Sequence, residues 1–247
     1  MIEMIRQETL KIIRRRGLAW TAFGLGLLGS IAVLVTYVVV REVRPEDYTS
    51  GVDALDTSTG IVAVIGFVMA ILIGATAGAW DVQHGTFRYL VLTGTPRQSL
   101  YWTRVPALAL VIVILLAPAT VIAVVTPFVL PLVGAEQADA TDVAREVWGI
   151  FALAWVYGLV SFAVGALLRS VTAGIALALV LSFGGFTLLL LLDRVSETLG
   201  ELVLPNALDR LVGNADAPSL GVAAAAVVVW LAVFLGAGAV RTARAEY

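Results

Sequence analysis

The sequence contains no cysteine, a single histidine, His84, and a single lysine, Lys11, in 247 residues. The lack of cysteine excludes disulfides, thiolate metal sites and cysteine nucleophiles together, and leaves the redox compartment open. One histidine cannot build a histidine-rich zinc site, no HExxH occurs, and no buried Ser-His pair is available for an intramembrane serine protease. A phosphate-binding loop requires GxxxxGK[ST], whereas the only lysine lies in IRQETLKIIRRR. The chain therefore has no phosphate loop, and no ATP or Mg cofactor is expected on it.

Charge is also scarce, at 14% of residues against 60% hydrophobic, with a mean hydropathy of +0.97. Soluble domains are only about 45–50% apolar, so the composition is that of an all-α integral membrane protein. Six apolar stretches approach or exceed the roughly 20 residues that cross a bilayer as helix: Leu18–Val40, Ile61–Ala79, Val105–Val133, Val147–Leu168, Val171–Leu192 and Leu220–Val240. None holds Asp, Glu, Lys, Arg or His, the groups from which intramembrane proton relays are built. A proton-coupled carrier is disfavoured on that ground, while sodium held by unwound backbone carbonyls stays open. The first stretch follows basic residues as a signal peptide does. It is longer, lacks a small-residue cleavage pattern and precedes five further stretches, and is expected to be retained.

The sixteen cations divide unevenly. With the amino terminus in the cytoplasm, only Arg41, Arg44, Arg145, Arg194 and Arg210 fall outside, which is the positive-inside bias. Of the acids, Glu3, Glu8, Asp81 and Glu246 fall inside and the rest outside. Both termini are thus expected in the cytoplasm, and the near-neutral total conceals a charge polarity across the membrane.

Residues 1–16 place Ile2, Ile5, Thr9, Ile12 and Ile13 on one helical face, with Lys11, Arg14 and Arg15 roughly opposite. This predicts an amphipathic helix on the inner interface, the alternative being a plain basic flank. The outer connections Arg41–Thr59 and Gly134–Glu146 read as acidic polar loops. The longest, 193–219, has apolar spacing that predicts two short amphipathic helices hinged at Pro205 and lying at or dipping into the outer interface, with a solvated loop as the alternative. Pro106, Pro118 and Pro127 predict kinks in the third span. In the second span Gly66, Ala70, Gly74 and Gly78 recur every fourth residue, a stripe that allows close helix approach. Packing within the chain, a subunit contact and pathway lining are all compatible with it.

Between the second and third spans lies a polar island, Trp80–Arg104, WDVQHGTFRYLVLTGTPRQSLYWTR. Asp81–Leu92 is expected to form a short helix across the inner face, Gly94 and Pro96 to turn the chain, and Gln98 onward to climb into the third span. His84 reads as a partly solvated loop residue able to meet a partner. Here Asp81, Gly85, Thr86, Phe87 and Arg88, then Pro96, Arg97 and Arg104, resemble the acidic-x3-GT-aromatic-basic … Pro … basic pattern of ABC-2 type permeases, the membrane subunits of ATP-binding-cassette exporters. The residue match covers about 25 positions, and the order of interfacial helix, six spans and outer helical segment extends the resemblance over most of the chain. Asp81 stands where the family more often has Glu, and Arg104 where it often has Lys; charge is unchanged.

The resemblance implies an exporter permease of the type V-like architecture in a prokaryotic cell membrane, forming a single domain over residues 1–247. It implies two partners besides membrane lipids and no nucleic acid: a separate ATPase that binds ATP and Mg, and a second permease chain, identical or paralogous. It also implies that segment 80–104, through Asp81, His84, Gly85, Thr86, Phe87, Arg88, Pro96 and Arg97, couples to that ATPase. Charge reversal at Asp81 or Arg88 is expected to uncouple transport without unfolding. The few hydroxyls in the spans, Thr76, Thr120, Thr126 and Ser161 among them, favour an amphiphilic or hydrophobic substrate: a drug, peptide, lipid-like molecule or glycan. A membrane scaffold or sensor recruiting a soluble protein through the same island, and a carrier working alone, are the competing classes.

Overall fold

The axis of the fold is a helix of 33 residues, α3 (Gly51–Gln83), about 50 Å long at 1.5 Å per residue. A bilayer core is about 30 Å thick, so α3 projects beyond an apolar layer of that thickness. The computed structural model describes residues 2–43, 51–92, 94, 96–129, 137–189, 196, 200–213 and 219–244. Before α3 come α1 (Ile2–Ile13) and α2 (Arg16–Val43); after it come α4 (Thr86–Leu92), α5 (Arg97–Val129) and α6 (Ala140–Leu168). The remainder is α7 (Val171–Val180), a π-helical turn (Leu181–Gly185), α8 (Phe186–Leu189), α9 (Leu204–Val212) and α10 (Leu220–Ala243). No strand occurs among the described residues.

Five helices, α2, α3, α5, α6 and α10, are long and apolar enough to cross a membrane. The expected fifth span differs: Val171–Gly184 is a shorter apolar helix, and its ladder widens into the π turn where Gly184 and Gly185 stand together. Paired glycines lower the cost of such a deformation. The ends of the long helices also lie further out than hydropathy predicts. Residues 51–60 are helix rather than loop, α5 begins at Arg97 and α6 at Ala140. At α6 the reason is local, because the Asp139 carboxylate accepts from the amides of Thr141 and Asp142 while Asp142 reaches back to the Asp139 amide. Pro205 lies in the first turn of α9, where its missing N–H costs nothing, after a turn at 202–203 that follows helical residues 200–201. The first of the two expected outer helices, with Val195 and Leu199, lies outside the described residues, as do residues 130–133 and 190–192 of the expected third and fifth spans. α5 runs on as one helix past Pro106, Pro118 and Pro127.

α3 and α6 form the centre. In their most apolar windows 56% and 72% of residues are buried, against 22% in α2 and in α10. Glycine makes this possible: a Cβ on Gly74 would collide with the Gly158 carbonyl, one on Gly78 with that of Phe162, and one on Gly165 with that of Ala75. Backbones in such contact gain dispersion along their length, which drives helix association where lipid removes the hydrophobic contrast. Gly66, at the outer end of the same stripe, lies against Leu116 of α5. Ser161 Oγ donates to the Ile71 carbonyl at 2.7 Å and Ser58 Oγ to that of Ala123 at 2.9 Å, tying α6 and α5 to α3.

Chain ends and turns sort to two poles. At one, Val171 N donates to Gln83 Oε1 at 2.8 Å, and Arg97 donates to the Ala243 carbonyl at the end of α10 at 3.3 Å. At the other, Trp148 Nε1 of α6 donates to the Leu211 carbonyl of α9 at 3.2 Å. The first pole holds the residues that charge places inside, and the second those that it places outside.

Candidate functional site: a buried ion cluster beneath an exposed loop

The last turn of α3 carries Asp81, which continues the buried stripe three residues past Gly78. Its side chain is 3% exposed and faces inward. Three cations converge on it: Lys11 from α1, Arg15 from the α1–α2 junction, whose Nη2 lies at 3.2 Å, and Arg104 from α5. Arg104 is itself 3% exposed. It donates to the Ala77 carbonyl at 3.3 Å, stands 3.4 Å from Glu8 of α1, and lies over the Phe87 ring at 5.8 Å. Glu8 also stands 3.6 Å from Lys11. Arg15 lies 4.7 Å from the centre of the Trp80 ring.

Burial lowers the Arg15 guanidinium from its ordinary value, and the Asp81 carboxylate opposes that fall. Arginine keeps its charge regardless. Three cations and two acids thus meet where α1, α3 and α5 come together. Removing one member of a buried ion group leaves the others desolvated and unpaired, at a cost of about 3–5 kcal/mol. The cluster is therefore a lock that fixes the amphipathic α1 against the inner ends of two long helices.

Below the lock the chain turns outward. α3 stops at Gln83, and Gly85, at φ +72°, and Gly94, at φ +88°, adopt left-handed backbone that favours glycine. Between them α4 spans only seven residues. The expected helix Asp81–Leu92 is thus divided in two, with its first turn belonging to α3. Phe87 points inward under Arg104, whereas Tyr89 and Leu92 are 71% and 73% exposed. His84 stacks on Trp80 with centroids 4.0 Å apart, and its Nδ1 lies 2.9 Å from the Trp80 carbonyl.

The eight residues expected to couple therefore separate. His84, Gly85, Thr86 and Pro96 are on the surface, and Asp81 and Phe87 are beneath it. Arg97 is half-buried at the carboxyl end of α10, where a cation meets orphan carbonyls and the negative end of the helix dipole. The side chain of Arg88 lies outside the described residues. Gln98 Nε2 on the Ala239 carbonyl at 3.0 Å and Tyr101 Oη on that of Leu235 at 3.0 Å continue the strap from α5 to α10. The expectation that charge reversal at Asp81 would leave the fold intact is corrected by this burial, because an Asp81 cation would face three others.

Glu8, Lys11 and Arg15 were not singled out by sequence reading as partners of Asp81. A signal for the buried side existed: Arg104 shares a helical face with Tyr101, Leu108 and Val111, and Asp81 shares one with Gly74 and Gly78. Four of the hydroxyls considered for substrate contact donate within the chain. Thr76, Thr120 and Thr126 donate to carbonyls four residues back, and Ser161 to Ile71. The stripe Gly66, Ala70, Gly74 and Gly78 is buried, with Gly66 against α5 and Gly74 and Gly78 against α6. Among the described residues no group of acids and histidine has the arrangement of a metal site. No protein-family model matches this sequence, and no curated protein matches it.

Proposed function

We propose that the chain is the membrane-spanning permease subunit of an ATP-binding-cassette exporter of the ABC-2 type, working with a separate ATPase and a second permease chain in a prokaryotic cell membrane. The observation that carries this reading is the exposed turn and short helix, His84–Leu92, standing on a buried ion cluster. A partner pressing on that surface moves α3 and α5 as one body with α1. Residues 1–247 hold no phosphate loop, and this loop is an inner surface joined to the long helices through the ion cluster.

Six crossings fit this reading, with α7–α8 as the fifth. Two contacts support this: α7 opens beside Gln83 at the basic pole, and α9 lies against Trp148 at the opposite pole. Both termini then share the basic side, in keeping with Arg97 on α10 and Lys11 on Asp81. The apolar surface and engaged hydroxyls favour an amphiphilic cargo moved outward.

The absence of cysteine makes a clean test available. Tyr89→Cys introduces a single thiol on an exposed face of α4. Crosslinking in native membranes is expected to join it to an ATPase subunit, with yield changing when ATP is added. Crosslinking only to a protein without an ATPase fold overturns the permease reading in favour of a scaffold. Gradient-driven flux in proteoliposomes containing this chain alone overturns it in favour of a carrier.

A further inference from the structure

The ion cluster has one positive charge more than its acids neutralise, and its location is identifiable. Lys11 and Arg104 each reach both Glu8 and Asp81, whereas Arg15 pairs with Asp81 alone, through Nη2; among the described residues Arg15 Nη1 and Arg104 Nε are both buried without a hydrogen-bond partner. A guanidinium N–H shielded from water and left unpaired is costly. Arg15 also forms the polar end of a groove of about 470 Å³, within the usual range of ligand pockets. The rest of the wall is largely apolar: Leu18 and Thr21 of α2, Leu72 and Trp80 of α3, and Ile175 of α7. From Trp80 to Leu72 the groove follows α3 for about 12 Å at 1.5 Å per residue, most of the roughly 15 Å depth of one leaflet. Thr76, on the same wall, spends its hydroxyl on the Leu72 carbonyl, so the interior offers a ligand little to hydrogen-bond.

A surplus cation at the membrane boundary, heading an apolar channel that runs inward for one leaflet, matches one molecular shape. We infer that the groove between α2, α3 and α7 is a binding site for an anionic phospholipid of the leaflet on the basic side, its phosphate on Arg15 and one acyl chain against Leu18, Leu72 and Ile175. The bound phosphate completes the charge of the cluster. It also fills the space beside the α1–α2 junction, so the lipid stiffens the attachment of α1 to the inner ends of the bundle. This site does not depend on the transport reading.

The test is lipid retention by the purified full-length chain. Protein is incubated with phosphatidylglycerol, phosphatidylcholine or inorganic phosphate in detergent, and bound lipid and melting temperature are measured. Phosphatidylglycerol is expected to be retained near one per chain and to raise the melting temperature, phosphatidylcholine to be retained at least tenfold less, and phosphate alone to do neither. Arg15→Gln is expected to weaken phosphatidylglycerol binding by about tenfold or more, the worth of one charge-assisted hydrogen bond. Because Arg15 also contacts Asp81, Ile175→Trp provides a second variant that fills the groove away from the ion cluster. It is expected to displace the lipid while leaving the melting temperature in lipid-free detergent unchanged. Equal retention of the two lipids, equal stabilisation by phosphate, or undiminished binding in Ile175→Trp would each overturn the inference.

Discussion

The two poles of the bundle solve opposite electrostatic problems. The basic pole collects Lys11, Arg15 and Arg104 around Asp81 and Glu8 in a buried, densely paired knot. The acidic pole collects Asp56, Glu146 and Asp209 with Arg145 around an open pocket of about 160 Å³. There the contacts are looser. Thr59 has one proton to give and three acceptors in reach, the carbonyls of Leu55 and Asp56 and the Glu146 carboxylate, while Arg145 pairs with its own neighbour Glu146 at 3.6 Å. Both poles are joined by the same close-packed pair, α3 and α6. Rigidity is therefore concentrated at the end where the exposed loop meets solvent, while at the far end three acids and one arginine line the pocket among the described residues. A machine driven from the basic side benefits from that asymmetry, because a push on α4 is passed to the long helices before it is absorbed locally.

The comparison fails if the basic pole proves no stiffer than the acidic one, and the largest effect tests it directly. Asp81→Ala strands three cations, two of them well buried, and is expected to cost about 3–5 kcal/mol. Arg104→Ala should also destabilise, because it removes the contacts to Glu8, Asp81 and the Ala77 carbonyl, but by less, since it leaves two cations against two acids. Because the two residues touch, the double variant is expected to lose less than the sum. Thermal melting of the three purified variants, read as a cycle, measures the coupling. Strict additivity would mean that Asp81 and Arg104 act separately and that the knot is no lock.

Much of the bundle was legible before any coordinates. Charge-free apolar runs located the long helices, and the partition of arginine located the two poles. Helix ends were not legible, because hydropathy marks where lipid stops and a helix with polar ends continues past that point. Residues 51–59 looked like part of a loop for this reason, although they are the protruding turns of α3, whereas the climb into the third span expected from Gln98 onward is found as α5, which begins at Arg97. Asp81 was singled out, but as a surface contact, since a lone acid one turn beyond an apolar run gives no local sign of its direction. Its register with Gly74 and Gly78 carried that sign. The partners on α1 were beyond reach, as nothing in a helix of alternating charge tells which distant carboxylate it will meet.

At the acidic pole a smaller effect is expected from Thr59→Val, which removes a hydroxyl shared among several acceptors. With the proton divided in this way, the loss should be about 1 kcal/mol, and melting curves of the variant check it. A loss as large as that of Asp81→Ala would erase the contrast between the poles.

Asp209 gives the smallest effect and the opposite sign. It lines the same pocket as Asp56, Glu146 and Arg145, and burial pushes its carboxyl above the ordinary carboxylate value. The folded chain thus holds this proton more tightly than the unfolded chain, so stability from this group falls as pH rises through the carboxylate range. Asp209→Asn, which cannot ionise, should melt slightly higher than the native chain at neutral pH. The gain should vanish at pH ~3 and below, where both states of the native side chain are largely protonated. Melting temperatures of the two proteins at both pH values decide it. A gain that persists in acid would mean that the benefit comes from shape or hydrogen bonding and not from charge. A loss at neutral pH would mean that Arg145 already neutralises this carboxylate, and the acidic pole would then be paired like the basic one.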